Sequence, residues 1–131
     1  MKIKIGDNSL AASLRAGTTV WAAGAYDALS AKLIEEAGFP AIMTTGFGIS
    51  ASHLGQPDLE LYTMSENLDV VAKVVAVVGV PVIADTDTGY GNAINVIRTV
   101  REFERVGVQQ LQNCGHRRCC SRLRAAAFTG S

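Results

Sequence analysis

The sequence predicts an α/β fold: a partial (β/α)8 TIM barrel of about four strand–helix units, followed by an irregular basic tail. Three observations lead there. Short apolar runs alternate with amphipathic stretches of helical length. Polar, glycine-rich segments follow the first three runs, where such a barrel builds its site. No Gly-x-Gly-x-x-Gly follows the first run, which argues against a dinucleotide-binding sheet.

The elements follow in order. Asn8 is placed to cap a short helix reaching Arg15 and stopped by Gly17. The β-branched, apolar residues 18–23 predict the first strand. Residues 26–37 predict a helix: Leu29, Leu33 and Ala37 share a face, Lys32 is spaced to pair with Glu36, and Gly38 ends it. Residues 40–44 predict the second strand, opening into Thr45-Gly46-Phe47-Gly48. Residues 49–62 read as a long loop holding Leu54-Gly55-Gln56-Pro57-Asp58. Ser65 is expected to cap a helix reaching Val78. Pro81-Val82-Ile83-Ala84 is too short for a helix and predicts a buried third strand ending near Asp85. Asn92 is expected to cap a helix carrying Ile94, Val96, Ile97, Val100, Phe103 and Val106, closed by Gly107. Residues 108–112 predict the fourth strand.

Length and composition narrow the class. At 131 residues the chain is one domain by size, and a complete barrel needs about 250. A half-barrel leaves two sheet edges and one apolar face uncovered, and assembly into a homo-oligomer would cover them. The net charge is zero, so neither nucleic acid nor membrane is expected as a partner. That balance hides an asymmetry. Residues 1–112 carry net −4, and residues 113–131 carry Arg117, Arg118, Arg122 and Arg124 with no acid. No secretory signal or membrane span is read in the sequence. The three cysteines, Cys114, Cys119 and Cys120, are an odd count and fit a reducing cytoplasm. Their spacing with His116 matches no usual zinc pattern.

The chemistry concentrates in Ala84-Asp85-Thr86-Asp87-Thr88-Gly89-Tyr90-Gly91. Side chains alternate along a strand, so Asp85 and Asp87 are expected to point the same way. Two converging carboxylates repel, and their hard oxygens suit Mg²⁺ or Mn²⁺. Without further context, a solvated turn after a strand remains open.

Four segments carry a resemblance: Gly24-Ala25-Tyr26-Asp27-Ala28-Leu29-Ser30, Thr44-Thr45-Gly46-Phe47-Gly48, Leu54-Gly55-Gln56-Pro57-Asp58 and the Asp85–Asp87 segment. In this order they resemble the isocitrate lyase/phosphoenolpyruvate mutase superfamily, with methylisocitrate lyase-like, dimethylmalate lyase-like and carboxyvinyl-carboxyphosphonate phosphorylmutase-like members. The resemblance implies residues 1–112 to be the amino-terminal half of such a barrel. It implies that Thr45, Gly46 and Phe47 hold a substrate carboxylate, that Tyr26 lies near the substrate, and that Asp58 sits on a mobile catalytic loop. It implies that Asp85 lies nearest the metal, beside the substrate, and that Asp87 reaches the metal through water. The expected cofactor is Mg²⁺ or Mn²⁺, and the expected partner a small carboxylic acid.

The resemblance fails after Gln112. Family members carry Glu-Asp-Gln there, then Lys-x-Cys-Gly-His; this chain runs Leu111-Gln112-Asn113-Cys114-Gly115-His116. Residues 113–131 are therefore expected to be divergent, from a deletion or a shifted reading frame, and the chain truncated. Cys114 would match the proton donor of the lyase branch. The expected parental activity is a Mg²⁺-dependent carbon–carbon lyase of small 2-hydroxy or 2-oxo carboxylic acids, releasing pyruvate or a related oxo acid. The alternatives are a phosphonate or phosphoenolpyruvate mutase, or a catalytically inactive truncated product, which is the expectation for this chain alone.

Overall fold

The computed structural model describes residues 9–112. Four parallel strands form one sheet in the order β1-β2-β3-β4. They are β1 (Ala22–Ala25), β2 (Ala41–Thr44), β3 (Val82–Asp85) and β4 (Gln110–Gln112). The helices are α1 (Ser9–Arg15), α2 (Ala28–Glu36), the single turn α3 (Gly46–Ile49), α4 (Met64–Val77) and α5 (Ala93–Arg105). This is the predicted partial α/β barrel. Among the described residues no helix is long and apolar enough to cross a membrane.

Each strand pairs with its sequence neighbour. Gly24, Met43, Ile83 and Gln110 lie side by side in register, and Asp85 aligns with Gln112. Along each strand the intervening residues face the helices. Ala25, Ile42 and Val82 pack with Ala31 of α2 and Val74 of α4. Ala84 packs with Val71 and with Phe103 of α5. Apolar burial on this face is the main favourable term holding the layers together.

Several expectations are corrected. The first strand begins at Ala22, not Thr18: β2 offers partners only for Ala22 to Ala25, and pairing outweighs the β-branched preference of residues 18–20. Helix α2 starts at Ala28, because Asp27 caps it by accepting from the Ser30 N–H at 2.7 Å. It turns Ala31 and Ile34 to the sheet, which leaves Leu29 and Leu33 67% and 57% exposed. Lys32 and Glu36 form no ion pair; among the described residues the pairs are Lys73–Asp69 and Arg105–Glu102. Exposed pairs of that kind gain little, so nothing compels the Lys32 pairing. The expected loop at 49–62 begins as helix instead: α3 runs into a π-helical turn, Ser50–Leu54, ended by Gly55 at φ +63°. Thr63, not Ser65, caps α4, because Glu66 completes a reciprocal capping box with it. Asn92 caps α5 as read, accepting from the Ile94 and Asn95 N–H groups. Asn8, Cys114, His116, Cys119, Cys120 and the tail arginines lie outside the described residues.

Candidate functional site

The site lies at the carboxyl end of the sheet, between the segments after β2 and β3. Asp85 is the last residue of β3. Its Oδ2 accepts from the Gly46 N–H at 3.4 Å and its Oδ1 from the Asp87 N–H at 3.2 Å. Burial raises its pKa and Asp87 adds repulsion, while the two backbone donors pull the other way.

Asp87 departs from the expected alternation. The strand has ended, and Asp87 takes a left-handed φ of +47°. Its carboxylate is reached through that turn rather than through the pleat. Its Oδ2 accepts from the Tyr62 hydroxyl at 2.7 Å and from the Tyr90 hydroxyl at 3.1 Å. Desolvation and the Asp87 carboxylate push both phenols above their ordinary range, so they remain protonated donors. The non-glycine residues with left-handed φ among those described are Glu60, Asp87 and Tyr90. All three lie in the segments around this site, where backbone strain commonly collects.

Gly46 opens the centre. A Cβ there would stand 2.8 Å from Tyr62 Oη, 3.2 Å from Asp87 Oδ1 and 3.4 Å from Asp58 Oδ2. Asp58 is thus drawn to the same point although it is exposed. Its loop is tied down by Ser50, whose buried hydroxyl is 3.0 Å from both the Gln56 and Pro57 carbonyls. Desolvation, then the charges of Asp87 and Glu60, raise the Asp58 pKa.

Of the residues singled out from sequence, Gly46, Asp58, Asp85 and Asp87 converge. Thr45 spends its hydroxyl capping α3, accepting from the Gly48 N–H at 3.3 Å. Tyr26 lies against that same turn: a Cβ on Gly48 would come within 2.8 Å of Tyr26 Cβ. The Phe47 ring is 65% exposed and outside the cluster. Cys114 lies outside the described residues. Sequence reasoning missed Tyr62, Tyr90 and Asn67. Asn67 had a signal, being polar within the apolar face of α4 formed by Val70, Val71 and Val74. Tyr62 had none, and Tyr90 had only its place within the segment that carries Asp85 and Asp87.

The donor set suits a hard cation. No ion pair reaches Asp58, Asp85 or Asp87 among the described residues. Nor do three His, Cys, Asp or Glu side chains there gather as a complete metal group. Asp85 and Asp87 offer hard carboxylate oxygens, the kind that suits Mg²⁺, an ion that usually keeps several waters.

Comparison with known proteins bears on the family and the fold. The family profile described as phosphoenolpyruvate phosphomutase matches residues 10–112. The 2,3-dimethylmalate lyase of Eubacterium barkeri is 53% identical over 105 residues, covering 74% of this chain and 36% of that enzyme. The 2-methylisocitrate lyase of Aeropyrum pernix is 46% identical over 105 residues, covering 74% of this chain and 34% of that enzyme. A solved structure of phosphonopyruvate hydrolase in complex with oxalate and Mg²⁺ superposes with a TM-score of 0.76 at 39% identity, covering 80% of this chain and 37% of the other. The chain spans about a third of the length of the curated relatives it matches.

Proposed function

The chain belongs to the phosphoenolpyruvate mutase/isocitrate lyase superfamily, and from that membership we propose that it carries the metal- and carboxylate-binding part of a carbon–carbon lyase. The substrate class is small 2-hydroxy or 2-oxo carboxylic acids, and the reaction releases pyruvate or a related oxo acid. One observation carries the reading. Asp85 and Asp87 meet beside the open backbone at Gly46, with Asp58 facing the same space and, among the described residues, no cationic side chain paired to any of them.

Asp85 and Asp87 would hold Mg²⁺ or Mn²⁺. When bound, the cation would polarise the substrate's oxygens and offset the negative charge that grows as the carbon–carbon bond breaks. The protein's own part is orientation. The Gly46 N–H and the Asp87 N–H hold Asp85 in place. The segment of Thr45, Gly46 and Phe47 offers backbone close to the bound acid, and the absent side chain at Gly46 leaves room for it. Asp58, its pKa raised by desolvation and by the charges of Asp87 and Glu60, is placed to hold a proton at the edge of this space.

A phosphonate-cleaving activity is the second reading, supported by the likeness to phosphonopyruvate hydrolase. The test is to incubate the full chain with Mg²⁺ and, separately, 2,3-dimethylmalate, methylisocitrate or phosphonopyruvate. Pyruvate from the first two, lost in Asp85→Ala, is the expected result for a lyase. Phosphate from the third instead favours the second reading. Turnover of none, with Mg²⁺-dependent oxalate binding retained, identifies a binding-only chain. Loss of that binding too overturns the site.

A further inference from the structure

Asn67 is fully buried on the sheet-facing side of α4, and its amide is committed at both hydrogens. One is directed to the Asp85 backbone carbonyl at 2.9 Å, and the other to the Tyr90 hydroxyl at 2.5 Å. The Tyr90 hydroxyl in turn donates to Asp87 Oδ2, and the Tyr62 hydroxyl donates to the same oxygen. A single buried amide therefore bridges the end of β3 to the side chain of Asp87. The arrangement leaves Asn67 Oδ1 buried with no partner among the described residues. A buried acceptor left without a partner is destabilising, so its retention calls for a reason. The reason is directional. Rotating the amide would aim its oxygen at the Asp85 carbonyl, acceptor against acceptor, and would leave Tyr90 free to turn away from Asp87.

We infer that Asn67, Tyr90 and Tyr62 are positioning residues that pin Oδ2 of Asp87, so that Oδ1 alone is presented to the site. Three further features agree. Oδ1 is the Asp87 oxygen facing the space left open by Gly46. The rings of Tyr62 and Tyr90 support each other, with centroids 6.3 Å apart and tilted by 55°. The left-handed backbone at Asp87 and Tyr90 brings both side chains to the same place. Asp87 would then offer a cation or its bound water one oxygen, with a carboxylate that cannot swing to chelate. This deepens the cation reading above and rests on it for the identity of what Oδ1 meets.

The experiment has a metal-free arm and a metal arm, both on the full chain. Without metal, NMR should find the Tyr62 and Tyr90 hydroxyl protons protected from exchange with water, and Asp87→Ala should release both. With Mn²⁺, followed by the EPR signal of the free ion, Tyr90→Phe and Tyr62→Phe should each keep the fold and weaken binding by about tenfold, as loss of a ligand's supporting hydrogen bond does. Freely exchanging hydroxyls in the metal-free chain overturn the inference. So does Mn²⁺ binding by both phenylalanine variants as tight as that of the unsubstituted chain. Protected hydroxyls in a chain that binds no Mn²⁺ sink the cation reading while supporting the pinning of Oδ2.

Discussion

On the helix-covered face of the sheet, Ile42, Val82 and Ala84 are buried to within about a percent. On the opposite face their neighbours Met43, Ile83 and Gln110 stay half-buried. The strands and the pleat are the same; only the covering differs. Alternation assigns residues to faces, but it does not decide which face is a core. The covered face holds the layers together. The uncovered face ends in Asp85, so the less buried surface of the sheet is the one that leads to the candidate site.

The sharpest way to break this comparison is through stability. Phe103→Ala removes a fully buried ring packed on Val71 and Ala84, and should cost about 3–5 kcal/mol, visible as a large fall in the urea midpoint. Gly46→Ala comes next. Its Cβ would crowd Tyr62 Oη at 2.8 Å, and overpacking of that sort costs about 1–3 kcal/mol. Adding Tyr62→Phe should return part of the loss in a thermal melt, because it deletes the clashing oxygen. Ile83→Ala, on the uncovered face, should cost less than about 1 kcal/mol by the same urea measurement. A loss equal to that of Phe103→Ala would mean this face is covered in solution.

A smaller effect concerns pH. The folded pKa of Asp85 is raised, mainly by burial. The folded form therefore keeps the proton longer than the unfolded chain does. The contribution to stability is present at low pH and is lost as pH rises from about 4 through the raised value. In metal-free protein the melting temperature of the unsubstituted chain relative to Asp85→Asn should fall over that interval. Mg²⁺ should reverse the trend, because it binds the ionised carboxylates.

Much of this was legible in the chain. Asn92 announced its helix because an amide before an apolar periodic run has few other uses. Asp85, Asp87, Asp58 and Gly46 were found through their motif segments. What failed did so for physical reasons. Thr63 was passed over for Ser65, although Glu66 three residues on marks Thr63 as half of a capping box. The alternation applied to Asp87 assumed a strand that stops at Asp85. Tyr62 meets Asp87 across 25 residues of sequence, and no local pattern encodes such a meeting.

The strand order has a consequence for synthesis. Because β1, β2, β3 and β4 pair strictly in sequence, every strand after the first finds its partner in the chain already made. The sheet can grow one strand–helix unit at a time as the polypeptide leaves the ribosome, with each parallel pairing waiting on its intervening helix, as Ile42 waits for Val82. At each stage the newest strand exposes an unpaired edge, which serves as the template for the next strand and as the point where a stray chain would attach. The direction of translation thus moves one of the sheet's two open edges along the nascent protein, while the outer edge of β1 stays where it began.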